Sequence, residues 1–405
     1  MPHNLLFVPS DTQFGVWYYR CLRPMQQMNH VEKGKWQITI NSSIGWDDYA
    51  YLKQFEIIII HNGQFRGDVQ DKFWSFLLWA KENGIKTVLD LDDYWEYGKD
   101  HPLDSYCKAN AIPFKVTGTI KLVDAVTTTT EYFANIIRHY NPNVYVCENG
   151  LCNDDVQFTT KKREAKRIRF GLAGGSSHTT DIKEIVNNSE SIFDYMTNAQ
   201  KDKMQLVLCG FDLRGKNNIC DADGNVIKTE DIPIDQIWWT KVEKLLTKNY
   251  TTVSKEYADL LKRYDHSDEA YDASDEPYRR IWTKDISKGE YGDIYKDMDI
   301  LLVPLKDNDF NKCKSELKFI EAGWTYTGII ASKVGPYKDF GKNLEDCLLV
   351  GKGPKNWARA IKEVIREDEL RNNIINNLRS RIIMERNLDM LVKKRSAIYE
   401  KILEG

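Results

Sequence analysis

The sequence predicts an α/β protein made of two Rossmann-like domains that face a cleft, with a helical tail at the C-terminus. Three observations point there. Short unbroken apolar runs, such as Leu5–Val8, Ile57–Ile60 and Ile300–Leu305, alternate with amphipathic stretches, the pattern of strands buried on both faces of a parallel sheet. The chain has 405 residues, more than one hydrophobic core usually serves, so two domains of about 150–200 residues each are expected. A strand running into Gly174-Gly175-Ser176-Ser177 opens the later half like the start of a second such domain. The expected division is 1–152, 153–384 and a C-terminal helix over 385–405, with a return of that helix to the first domain as one option.

Composition narrows the function classes. A net charge of −3 supplies no global field to attract nucleic acid or an anionic membrane. The opening Met1-Pro2-His3-Asn4 leads straight into LLFVPS, too short for a secretory leader, and no apolar run approaches a membrane span. Eight cysteines are scattered without a C-x2-C pair, and Cys147 and Cys152 have no histidine nearby, so reduced thiols and a cytoplasmic location are expected.

Leu5–Val8 is the first strand. The loop PSDTQFGVWYYR follows, with Gly15 where a doubly wound domain places a ligand loop. It lacks G-x-G-x-x-G and is no dinucleotide fingerprint. Tyr18, Tyr19 and Arg20 read either as substrate contacts or as the first turn of a packed helix. FEIIIIHNG is the next strand, with His61 at its end as a site candidate. DKFWSFLLWAKENG is a helix with Phe73, Phe76, Leu77 and Ala80 at core spacing and Gly84 as its C-cap. IKTVLDLDDYW gives a strand that runs into Asp92 and Asp93, carboxylates at the end of a buried parallel strand. Asp90, Asp92 and Asp93 admit three readings: acceptor or catalytic positioning, structural capping, and a metal site. A strand at Ala125–Thr128, a Thr-capped helix and a strand at Val144–Cys147 complete the first half; His139 reads as surface or packing.

The charge run KKREAKRIR marks the domain boundary near residues 152–166. Strand Ile168–Ala173 then meets Gly174-Gly175-Ser176-Ser177-His178 and a helix expected to begin near Thr180 or Asp181. Paired glycines at a strand-to-helix turn let backbone amides approach a phosphate. Strand Gln205–Cys209 follows. Residues 213–292 look like an insertion, and a long helical tail runs from Asn356 to Leu403. Its patch Arg379–Arg395 is locally basic: a solvated face, or peripheral membrane contact.

The stretch 299–332 is a strand–helix–strand unit. The helix, expected from about Ser315 to Trp324, carries an apolar stripe of Leu317, Ile320 and Trp324. Beside it runs a polar stripe of Lys314, Lys318 and Glu321. Two lysines and a helix start near Ser315 could hold a diphosphate, and Glu321 could accept from a ribose; a solvated helix face is the alternative.

These segments resemble the GT-B glycosyltransferases, in particular the retaining nucleotide-sugar-dependent group, glycosyl transferases group 1. VDAVTTTTEYFANII with VYVCENGL is similar to that group's exit from its first domain. RIRFGLAGGSSHTTDI is similar to its phosphate turn, and DILLVPLKDNDFNKCKSELKFIEAG with IIASKVGPY to its donor-binding unit. The group carries two glutamates separated by seven residues; Glu321 matches the second, while Cys313 stands at the first, with Asn311, Lys312 or Lys314 as replacements. Where the group often has a histidine, this chain has Asp90-Leu91-Asp92-Asp93. The resemblance implies transfer of a sugar from a nucleoside diphosphate sugar to an acceptor hydroxyl, with retention and no required cofactor or metal. It places the diphosphate on Lys314, Ser315, Lys318 and the turn Gly174, Gly175, Ser176, Ser177, the ribose on Glu321, and counts Gly15, His178 and Asn311 with them as donor-binding residues. Asp92, Asp93 and the Gly15 loop would face the acceptor or the transferred sugar, with Asp92, Asp93, Lys314 and Glu321 as catalytic candidates. The acceptor classes are a glycan, a lipid-linked sugar, a small molecule or a modified nucleic acid. A DNA-base glycosyltransferase, a nucleotide-sugar epimerase and a non-catalytic binding module are the alternatives.

Overall fold

The computed structural model describes residues 2–159, 161–174, 178, 180–187, 189–210, 216–220, 226–231, 233, 246, 278–281 and 285–405. Two six-stranded parallel sheets organise them. The first contains β1 (His3–Val8), β2 (Trp36–Ile40), β3 (Ile57–His61), β4 (Lys86–Leu91), β5 (Ala125–Thr128) and β6 (Val144–Val146) in the order β2-β1-β3-β4-β5-β6. The second contains β7 (Ile168–Gly174), β8 (Met204–Gly210), β11 (Tyr278–Ile281), β12 (Ile300–Val303), β13 (Gly328–Ser332) and β14 (Leu348–Val350) in the order β11-β8-β7-β12-β13-β14. Between β8 and β11 lies a separate antiparallel pair, β9 (Lys216–Cys220) and β10 (Val226–Asp231).

Strand alternation decides which side chains pack where. In the first sheet, Leu6, Val8, Ile58, Ile60, Leu89 and Leu91 point to one face and meet Phe73 and Phe76 of helix α2 (Val69–Glu82), Val116 and Ile120 of α3 (Ile112–Leu122) and Phe133 of α4 (Glu131–Ile137). Leu5, Phe7, Ile57, Ile59 and Val88 point to the other, against Met25 and Met28 of α1 (Arg23–Val31). With both faces covered, no polar alternation survives in these strands, which is why they read as continuous apolar runs. Each fully buried Ile or Leu contributes about 1.5–3 kcal/mol. The second domain repeats the plan. Leu172, Leu206, Ile300 and Leu302 pack under Trp357 and Ile361 of α6 (Pro354–Arg366). Leu301, Val303, Ile329 and Ala331 meet Phe319, Ile320 and Trp324 of α5 (Leu317–Trp324) and Leu378 and Ile382 of α7 (Asp368–Glu385).

The last helix, α8 (Leu388–Glu404), lies on the first domain. Val392, Tyr399 and Ile402 enter the core beside Leu5, Phe7 and Trp36, and the Trp36 indole N–H donates to Ser396 Oγ at 2.8 Å. The chain therefore crosses between domains twice, and the crossings touch where Leu388 N donates to Leu151 O at 2.9 Å. Gly150 sits at that touch: a Cβ there would stand 2.7 Å from Arg386 O. Among the described residues, no helix is long and apolar enough to cross a membrane.

Four expectations are corrected in detail. The central helix starts at Leu317, not Ser315, because a short separate helix, Asp309–Lys312, precedes it and its N-cap is Glu316. Its core is broader than a stripe: Phe319 through Trp324 are all buried, while Leu317 is only partly so. After the glycine turn, residues Asp181–Glu184 form a single 3-10 turn rather than a helix. The tail from Pro354 onward is three helices, α6, α7 and α8, with breaks at Glu367 and Asn387.

Candidate active site

In the second sheet the strand order reverses between β7 and β12, and ligands of doubly wound sheets lie in the crevice at such a point. A cavity of about 30 Å³ lies there, lined by Gly174, His178, Asp181, Pro304 and Lys318 among others. Asp181 organises it. Its carboxylate accepts from Asn311 Nδ2 (2.8 Å), from the Lys306 backbone N–H (2.8 Å), and lies 2.7 Å from His178 Nδ1. Burial opposes ionisation of Asp181, but these partners outweigh it and hold its pKa below the ordinary carboxylate value. Asn311, 3% exposed, uses its amide on Asp181 and the Lys306 carbonyl, so it shapes the loop over the cavity. Gly175, Ser176 and Ser177 lie outside the described residues.

The polar face of α5 turns inward rather than to solvent. Glu321 is 1% exposed and accepts from Tyr19 (2.7 Å), Tyr295 (2.5 Å) and Lys318 (2.8 Å). Lys318 also bonds Tyr291 Oη at 2.8 Å. Burial favours the neutral form of Lys318, yet the Glu321 carboxylate more than offsets it and raises the pKa, keeping the ammonium charged. Burial, with Glu321 second, pushes Tyr291 up to about 12. Tyr19 belongs to the first domain, so this cluster bridges the cleft. Ser315 is a second bridge: its Oγ accepts from Asn149 Nδ2 at 3.1 Å. Lys314 Nζ lies 3.5 Å from Asp93 Oδ1 and 4.5 Å from the centre of the Phe310 ring. Phe310 stacks on Tyr97 (4.7 Å, 27°), and Lys306 pairs with Asp100 at 2.6 Å, so the 97–101 segment of the first domain clasps the cavity loop of the second. Cys313, where the resembling group has its first glutamate, is fully buried in the first domain's core; burial raises its thiol pKa to about 12.

The first domain separates its three aspartates rather than converging them. Asp90, 1% exposed, takes a two-pronged ion pair from Arg20 (2.6 and 2.9 Å) and the Thr127 hydroxyl (2.6 Å). Burial raises its pKa, but Arg20 overrides burial and leaves it at about 2. Arg20 continues to Asn149 (2.9 Å), tying this pair to Ser315. Asp92 lies 3.0 Å from His61 Nε2. Asp93 is exposed and faces Lys314. Gly15 sits over Tyr19 in a loop shaped by Asp11, whose carboxylate accepts from the Gln13 and Phe14 N–H groups. A larger space of about 360 Å³, lined by Glu131, Glu148, Lys312, Arg386 and Lys394 among others, opens between the domains at the β5–β6 end, away from Gly174 and Lys318.

Sequence reading missed Asp181, Tyr295 and the Tyr97–Phe310 stack. Asp181 had one signal, an acidic residue just after a glycine turn. Tyr295 had none, since its partner, Glu321, lies on another element; Tyr19, open between substrate contact and packing, bonds Glu321 across the cleft.

No family model matches the chain, and no curated protein matches it by sequence. Solved structures do match in shape. Alr3699/HepE of Anabaena, in complex with UDP, superposes with a TM-score of 0.61 at 9% identity over 99% of this chain and 100% of that one. Sucrose-phosphate synthase of Thermosynechococcus elongatus gives 0.59 at 11% identity over 100% of both chains. A glycosyltransferase of Rickettsia africae ESF-5 gives 0.56 at 11% over 100% of this chain and 99% of that one. At such identities the likeness is one of fold. Two facing Rossmann-like sheets, a cleft between their strand ends and a last helix on the first domain make this chain a GT-B fold protein.

Proposed function

We propose that the protein transfers a sugar from a nucleoside diphosphate sugar to an acceptor hydroxyl, with retention at the anomeric carbon. The observation that carries this is the meeting of Gly174, His178 and the charged Lys318 around one crevice at the switch point of the second sheet. Backbone close to a glycine turn plus a fixed ammonium suits a leaving diphosphate, whose charge must be neutralised as the glycosidic bond breaks. Lys314 and Ser315, on the segment leading into the same helix, extend that cationic and hydroxyl-bearing wall. About 30 Å³ is room for roughly one water, so the crevice has to widen to admit a donor. Glu321 has an acceptor position beyond its three bonds, and a ribose hydroxyl can use it or replace Tyr19. Asp92, Asp93 and the Gly15 loop form the opposite wall, for the acceptor. The acceptor classes are a glycan, a lipid-linked sugar, a small molecule or a modified nucleic acid.

The test is a donor screen. The Anabaena structure holds UDP, so UDP-sugars come first and GDP- and ADP-sugars after. Release of free nucleotide diphosphate from one donor supports transfer. Isomerised donor without nucleotide release replaces it with the epimerase reading, and donors that neither bind nor react sink both. The anomer of the product, read by proton NMR, reports retention.

A further inference from the structure

At the cleft-facing ends of β1, β3 and β4, three side chains form one hydrogen-bonded line. Ser10 Oγ lies 2.7 Å from His61 Nδ1, and His61 Nε2 lies 3.0 Å from Asp92 Oδ1. The topology assembles them: β1 is flanked by β2 on one side and β3 on the other, so the strand order reverses between β1 and β3. This is the first domain's counterpart of the crevice holding Gly174 and Lys318. His61 is 5% exposed, Asp92 is partly buried, and Ser10 is exposed at the open end. The loop that begins at Ser10 reaches across the cleft, where the Gln13 carbonyl accepts from Ser287 at 3.2 Å, and Asp93 faces Lys314.

The ring cannot easily sit elsewhere. After His61 the backbone turns through two successive left-handed residues, Asn62 (φ 70°) and Gly63 (φ 62°), which few residues tolerate. A Cβ on Gly63 would stand 2.6 Å from Leu89 Cδ1. An ionised carboxylate only accepts, so Asp92 assigns the His61 proton to Nε2, and Nδ1 is then the acceptor for the Ser10 O–H. A hydroxyl aimed at an imidazole whose far nitrogen is tied to a carboxylate is an arrangement for withdrawing a proton.

We propose that Ser10, His61 and Asp92 form a proton relay that takes up the acceptor's hydroxyl proton during transfer, Ser10 touching the acceptor and His61 and Asp92 acting through it. This rests on the transfer reading. The acceptor O–H proton passes to Ser10 Oγ while the Ser10 proton passes to His61 Nδ1. The acceptor oxygen bonds the anomeric carbon on the face that the diphosphate leaves, as retention in a single displacement requires, and the bond from that carbon to the diphosphate breaks with its electrons going to the leaving oxygen. His61 ends as an imidazolium paired with Asp92. The other charges acting on the ring are Asp90 and Arg20, which already neutralise each other. Burial disfavours the imidazolium, but the Asp92 bond overrides burial and raises the His61 pKa above its ordinary value. The base form is therefore reached only above that raised value, and turnover climbs with pH through it.

The experiment measures nucleotide release from UDP-glucose, UDP-N-acetylglucosamine, GDP-mannose and ADP-glucose, with water as the acceptor, for the full chain and its Ser10→Ala and His61→Gln variants. Donor affinity is followed by calorimetry. We expect kcat to fall about 100-fold or more in both variants, with donor Kd unchanged, and the rising limb of the pH profile to vanish in His61→Gln. Wild-type turnover with Ser10→Ala equally fast, or a limb that persists in His61→Gln, overturns the relay and leaves the transfer reading standing. A wild type that turns over none of the donors overturns both. Ser10 is exposed, so its variant separates loss of chemistry from loss of fold.

Discussion

Lys318 and Glu321 show how one residue's surroundings change its meaning. On a helix surface, a lysine three positions before a glutamate is an ordinary solvated pair worth a few tenths of a kcal/mol. Here Glu321 is buried, Lys318 partly so, and tyrosines from two other segments complete the carboxylate's bonds. A cation held this rigidly is pre-organised for a phosphate oxygen. Lys318→Ala should weaken UDP binding by about 1–3 kcal/mol, the scale of a lost charged hydrogen bond. Calorimetry on the folded variant checks it, and an unchanged Kd removes Lys318 from the diphosphate site. The variant should also melt at a lower temperature, since Glu321 loses its counter-charge in a buried setting. Residue types at 314, 315, 318 and 321 were legible as a polar set from spacing alone. Their burial was not, because Tyr19 comes 302 positions earlier in the chain.

At the level of elements, the strands were easy to read, and the turns set where the polar side chains at their ends lie. Continuous Ile and Leu runs predict strands covered on both faces, and β3 and β12 are such strands. In the proposed relay β3 takes part through the turn after it, where Asn62 and Gly63 take left-handed backbone and His61 meets Ser10 and Asp92. Gly63→Ala should cost about 2–5 kcal/mol, adding left-handed strain to a clash with Leu89 and Thr119. Urea unfolding measures it; a loss below about 0.5 kcal/mol would mean that the turn relaxes freely. The helix start at Leu317 rather than Ser315 has a similarly local cause. The preceding short helix ends at Lys312, and the linking Ser315 is engaged by Asn149 across the cleft. A pattern of apolar positions could not register that break, since the residues on both sides of it continue a helical spacing.

Taken whole, the molecule couples its domains through α8, the Asp90–Arg20–Asn149–Ser315 line and the Tyr97–Phe310 clasp. These place cations of the second domain opposite carboxylates of the first, and each of Asp90, Asp92 and Asp93 already has its own protein partner. In the proposed transfer the lysines neutralise the diphosphate without a divalent ion, so nucleotide release should be unaffected by EDTA. Loss of release that magnesium restores would instead make Asp92 and Asp93 metal ligands. The two Rossmann-like sheets and the strand–helix–strand pattern of residues 299–332 could be read from the chain because they rest on local periodicity and on turn chemistry between neighbours in sequence. Which carboxylate meets which base, why Cys313 is a core residue, and how Ser10, His61 and Asp92 come into line were decided by the order of strands within each sheet. That order is set by long-range packing, which no local stretch of residues encodes.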